Sequence, residues 1–79
     1  MTKQELQKAK MTELFIKLLS LEGTATVKTY SGYTFTADTS DCYILEPLLY
    51  MNHATISTRP EEEQDYLINL SDIAELRVN

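Results

Sequence analysis

Thr24-Ala25-Thr26-Val27-Lys28-Thr29-Tyr30-Ser31-Gly32-Tyr33-Thr34-Phe35-Thr36-Ala37-Asp38 holds two alternating runs about a short polar break. Ala25, Val27 and Thr29 alternate with Thr24, Thr26 and Lys28. Tyr33, Phe35 and Ala37 alternate in the same way with Thr34, Thr36 and Asp38. A period of two is the mark of a strand with one buried face, and threonine and valine suit a pleated surface. Ser31-Gly32 lies between the two runs and signals a turn, so the stretch reads as a β-hairpin.

On its N-terminal side the period changes. Met11, Leu14, Phe15, Leu18 and Leu19 recur at helical spacing, so residues 2–22 read as a helix with those five on its buried face. Thr2 and Glu5 have the spacing of a capping box. Glu13 and Lys17 stand four apart in the favourable order. Gly23 offers the left-handed conformation that ends many helices. Leu6, Ile16 and Leu21 fall off the main stripe, which suggests that the helix is covered on more than one side.

On its C-terminal side, Thr39-Ser40-Asp41 reads as a turn and Cys42 to Leu45 as strand. Glu46-Pro47 interrupts, because proline removes a ladder donor. Leu48 to Met51 resumes the apolar run. A bent or bulged strand and a short helical turn from Pro47 both fit residues 46–51. Asn52-His53 reads as a turn, Ala54 to Thr58 as a strand and Arg59 to Asp65 as a solvated, mobile loop. Tyr66 to Leu70 is a strand, Ser71-Asp72-Ile73 a tight turn and Ala74 to Val78 a closing strand. The fold class is therefore α+β, mainly β. Residues 1–79 form one domain, with a helix at 2–22 and about five short antiparallel strands in a barrel-like region at 24–78.

That order resembles small barrels of the Sm-like or SH3-like kind. Residues 66–78, Tyr-Leu-Ile-Asn-Leu-Ser-Asp-Ile-Ala-Glu-Leu-Arg-Val, look like the strand, single helical turn and short strand that close many of them. Val27, Gly32, Phe35 and Asp41 resemble a first Sm segment, and the YolD-like proteins show a similar helix before a similar strand series. Sm proteins carry an asparagine after the aspartate and an Arg-Gly pair near the end, where they contact RNA. Neither stands in matching context here. The resemblance implies an architecture and brings no RNA-contacting residue with it.

Composition limits the function. The 79 residues are 43% apolar and 24% charged, values of a globular domain, and the net charge is −5. Acidity disfavours nucleic acid, whose phosphates are bound by lysine and arginine. One cysteine, Cys42, excludes an internal disulfide. Together with the single histidine, His53, it cannot close a four-ligand zinc site. The first residues are interrupted by Lys3, Glu5, Lys8 and Lys10 and form no signal peptide, which predicts a cytoplasmic protein. No apolar run reaches the ~18–20 residues that would span a membrane.

No nucleophile elbow, zinc helix or phosphate-binding glycine loop is present, so no catalytic residue, cofactor-binding residue or metal ligand is assigned and the expectation is a non-enzyme with no cofactor. Cys42 reads as a small core residue and His53 as a surface histidine. Glu61, Glu62, Glu63 and Asp65 form the densest charge cluster. A solvated loop explains it, and an acidic contact for a basic protein is the sharper reading. Tyrosine combines apolar area with a polar tip and suits contact surfaces, and Leu48 to Met51 is an apolar run that one sheet face cannot hide, so Tyr50 and Met51 join the acidic four as candidate protein-contact residues.

The leading expectation is a non-catalytic interaction module, a small acidic accessory or regulatory protein that binds another protein and self-associates. Self-association follows from the apolar excess of Leu6, Ile16, Leu21 and the run Leu48 to Met51. The alternatives are a protein holding a nucleotide or metabolite, an inhibitor encoded by a mobile element and, last, an Sm-like RNA binder.

Overall fold

The structure is a computed structural model that describes the backbone of residues 2–79 and all their side chains except those of 4–9. The capping box, which depends on Glu5, and the placing of Leu6 therefore lie outside the described residues.

One helix, α1 (Lys3–Leu19), precedes six antiparallel strands: β1 (Thr24–Thr29), β2 (Thr34–Asp38), β3 (Cys42–Leu45), β4 (Leu48–Ile56), β5 (Arg59–Asn69) and β6 (Ile73–Val78). Single 3-10 turns at Thr39–Asp41 and Leu70–Asp72 join β2 to β3 and β5 to β6. The sheet runs β3-β4-β2-β1-β6, with β5 on β4, and curls into a half-barrel.

The hairpin of residues 24–38 forms as its alternation demands. Val27 opposes Phe35 and Ala25 opposes Ala37, all four buried, while Lys28 opposes Thr34 on the outside. Gly32 has φ +100°, which glycine reaches without the penalty a side chain brings. The buried Thr29 closes the turn: its Oγ1 accepts the Tyr33 N–H at 3.0 Å. Ser31 Oγ donates to Asp72 Oδ2 at 2.7 Å and the Tyr30 N–H to the Asp72 carbonyl at 2.8 Å. These bonds tie the first hairpin to the final turn and so set the curl of the sheet.

The core lies on the concave side. Leu49, Met51, Val27 and Ile73 are its largest fully buried side chains. Phe15 lowers the helix onto it at 6% exposure, and Leu18 and Leu19 pack alongside. The apolar stripe of the helix is narrower than its spacing suggests. Met11 and Leu14 are exposed, while Phe15, Leu18 and Leu19 pack on the core where α1 meets the sheet at β3 and β6.

Several sequence expectations are corrected. The helix ends at Leu19, where Ser20 Oγ donates to the Lys17 carbonyl at 2.6 Å, and not at Gly23. Gly23 serves close approach instead: a Cβ there would collide with the Asn79 carbonyl oxygen, with which the Thr24 N–H pairs. Glu46-Pro47 is neither a bend nor a helical turn. It is the two-residue connection of the β3–β4 hairpin, in which Leu45 opposes Leu48. Asn52-His53 does not turn the chain. It bulges within β4, with His53 at φ +52° and its N–H donated to Asp65 Oδ1 at 3.1 Å.

The largest correction concerns residues 59–65. They are the first part of β5, not a loop. Ser57 and Thr58 make the turn that precedes them. Pairing with β4 supplies the order, while solvent on both faces removes the apolar alternation by which a strand is recognised. Pro60 is tolerated because β5 pairs only with β4 and is an edge strand.

Candidate functional site

The sheet has two faces, and the register assigns every residue of β3–β4–β5 to one of them. Cys42, Leu49, Met51 and Ile68 turn inward and are buried. Tyr43 opposes Tyr50, which opposes Leu67. One row further, Leu45 opposes Leu48, which opposes Asn69. Directly opposed residues share a face, so these six form two rows across the outside of three strands.

That outer face is apolar. Tyr43 is 45% exposed, Leu45 60% and Leu67 62%. The rings of Tyr43 and Tyr50 stack with centroids 4.8 Å apart and planes within 4°. Each ring limits the other's rotation, which leaves a flat, ordered plate in place of two mobile side chains. A shallow depression lined by Ile16, Leu19 and Tyr43 continues the apolar surface to the helix. A contiguous apolar patch of this kind marks a surface that another molecule covers.

The acidic candidates stand beside this face. Between the pairs Ala54–Gln64 and Ile56–Arg59 the register slips, so that Pro60 to Glu63 stand opposite Thr55 alone. Glu61, Glu62 and Glu63 thus ride on a wide bulge of the edge strand, and all three are exposed. Arg59 pairs with Glu62 at 3.7 Å, on the surface. Asp65 precedes Leu67 by two residues and holds the β4 bulge through the His53 N–H. Of the sequence candidates, Tyr50 lies at the centre of the outer face. Met51 does not reach it: it is 0% exposed and belongs to the core, because the register turns each successive residue to the opposite side. Tyr43, Leu45 and Leu67 were not singled out by sequence. The alternation of Tyr43 and Leu45 with Cys42 and Ile44 carries no sign of which set is inside, since both sets are apolar; in β5 the polar Asp65 and Asn69 flank Leu67 at a spacing of two and mark its side as the outer one.

Cys42 is a core thiol. Burial, with the charges of Asp41 and Asp38 adding to it, pushes its pKa up to about 11. Its Sγ lies 3.3 Å from the Asp38 carbonyl, to which the S–H donates. A thiol held protonated is a poor nucleophile at neutral pH. Among the described residues, no three His, Cys, Asp or Glu side chains converge as a metal site would require. Among the described residues, no helix is long and apolar enough to cross a membrane.

A second feature is a groove of about 540 Å³ between α1 and the turns at the other end of the sheet. Met11, Phe15, Tyr30, Pro47, Leu70 and Ile73 supply its apolar walls, and Glu46 and Asn69 are among its polar groups.

Comparison of the chain with protein-family models, with curated proteins and with solved structures found no match.

Proposed function

We propose that the chain is a non-catalytic interaction module that binds another protein. The observation that carries this reading is the outer face of β3–β4–β5, where Leu45 and Leu67 stand in solvent beside the stacked pair Tyr43–Tyr50. Leucines left largely in solvent on a sheet face add little to the isolated fold, and ordered tyrosines are favoured anchors at contact surfaces. A regulatory or accessory role, action in the cytoplasm and self-association through a surface other than this face belong to the same proposal. So does the finer architectural assignment to the Sm-like or SH3-like barrels, with which the curled half-barrel is compatible. Affinity capture with quantitative mass spectrometry tests the reading. The wild-type chain should retain a stoichiometric protein partner, and Leu45→Ser with Leu67→Ser should release it. Capture of no partner, or of one indifferent to this face, defeats it.

The groove beside α1 favours a second reading, a protein that holds a small apolar ligand such as a nucleotide base or metabolite. Its volume falls within the range of ligand pockets, about 300–1,000 Å³, and a few polar groups interrupt apolar walls as such sites require. A thermal-shift screen separates the readings. Saturable stabilisation by one compound, abolished by Tyr30→Ala, supports the ligand.

A further inference from the structure

The interaction reading leaves the partner's chemistry open, and the distribution of charge around the outer face narrows it. Residues 41–52 and 60–72, which contain β3, most of β5 and the first half of β4, include no lysine or arginine. They do include acidic residues at both ends of β3 and along β5. Glu46 stands at the β3–β4 turn, Asp41 before the start of β3, and Glu63 and Asp65 along β5 beyond Leu67. The chain's cations are Lys28 and Arg77 on the opposite part of the sheet, Arg59 at the start of β5, already paired with Glu62, and the lysines of α1, of which exposed Lys17 follows Ile16 at the β3 border of the face. The face is therefore an apolar centre whose rim is negative at the ends of β3 and along β5.

We propose that this face docks a basic amphipathic segment of another protein, whose apolar side covers Tyr43, Tyr50, Leu45 and Leu67 while its lysines and arginines meet the rim. Charge complementarity argues for this occupant against a second copy. Two copies joined face to face would bring two acidic rims together, and like charges opposed across an interface oppose association. An anionic surface, such as nucleic acid or an acidic membrane, is repelled for the same reason. The rim speeds encounter and selects the partner. The apolar centre holds it, because aromatic anchors in a desolvated patch carry most of the binding energy.

The inference rests on the interaction reading, and the test distinguishes the two. Fluorescence anisotropy is measured with a labelled amphipathic Leu/Lys helical peptide and with a Leu/Glu peptide of the same pattern. Light scattering reports the chain's own oligomeric state. The Leu/Lys peptide should bind and weaken as salt is raised, and the Leu/Glu peptide should not bind. Tyr43→Ser with Leu67→Ser should weaken the Leu/Lys peptide about tenfold or more, as loss of anchor residues does. Tyr30→Ser, outside the face, should leave it unchanged. If the tyrosine variant fails to fold, Leu45→Ser with Leu67→Ser removes the two most exposed leucines of the face and reads the same contact. Leu/Lys binding that ignores these substitutions overturns the inference, since the attraction is then diffuse charge. Self-association dissolved by Leu67→Ser also overturns it and leaves the interaction reading standing. A face whose substitution changes no association of either kind defeats both.

Discussion

The two halves of the sheet are built alike on the inside and differently on the outside. Across β2, β1 and β6 the outer face is polar. Thr36 opposes Thr26, which opposes Arg77, and Thr34 opposes Lys28, which opposes Glu75. Glu75 also reaches Lys28 at 3.8 Å and Arg77 at 3.2 Å. Across β3, β4 and β5 the corresponding positions are Tyr43, Tyr50 and Leu67, then Leu45, Leu48 and Asn69. The first half is finished by water, because threonines and paired charges lose little by facing it. The second half leaves apolar area in water that folding of this chain does not remove. The difference teaches that the inner alternation builds the fold, while the outer one states what each half is for.

The comparison breaks most severely at the core the two halves share. Phe15→Ala should cost roughly 3–5 kcal/mol in denaturant unfolding, because it removes a buried ring from the point where α1 closes over both halves. An unchanged midpoint would mean that the helix is not part of the cooperative unit.

A smaller effect sharpens the inner side of the second half. The Cys42 pKa is raised from its ordinary 9.0 to about 11 in the folded chain. In the window between those values the unfolded chain has lost this proton and the folded chain keeps it. Stability from this group is thus complete below pH 9 and is lost as pH rises toward 11, at about 1.4 kcal/mol per pH unit. Urea unfolding at stepped pH should show this slope in the wild type. Cys42→Ala should show it reduced, and identical slopes would mean that the thiol is not desolvated.

The outer side of the same half is tested by a double-mutant cycle. Tyr43→Ser and Tyr50→Ser should couple by about 0.5–1.5 kcal/mol, the range for stacked aromatic pairs. Additive effects would show that the plate is not held by ring contact. Binding of a dye that reports exposed apolar surface should fall in Leu45→Ser with Leu67→Ser. It should not change in Thr26→Ser, on the polar half.

The smallest effect concerns the acidic bulge. Glu61, Glu62 and Glu63 replaced together by Gln should change stability by no more than about 0.5 kcal/mol, because all three are exposed and carry no buried contact. A loss of several kcal/mol would make the bulge structural and not a rim. The charges do have a use in the free chain: they mark the open edge of β5, where charge and proline discourage pairing with a stray strand.

The sequence by itself determined the N-terminal helix, the hairpin of residues 24–38, the turn at residues 39–41 and the closing strand–turn–strand of residues 66–78. In each of these, local periodicity and turn chemistry agree with the tertiary arrangement, so each segment carries its own signal. Cys42 was legible as a core residue from its chemistry, a small apolar thiol with no arginine or histidine beside it in the sequence. Tertiary structure alone decided the rest. Residues 59–65 are polar on both sides and became a strand only because β4 offers its backbone. Glu46-Pro47 became a hairpin connection once Leu45 and Leu48 could pair. Asn52-His53 became a bulge once Asp65 could receive the His53 N–H. Of the candidate contacts, the acidic residues were visible as charge, and Tyr50 was visible as a tyrosine in an apolar run. Which side of that run faces water was not visible, since Leu48 to Met51 is apolar at every position. An alternation between two apolar sets has no sign until a core exists on one side of it, and the core that buries Met51 and exposes Tyr43 and Leu67 is assembled from segments distant in the chain.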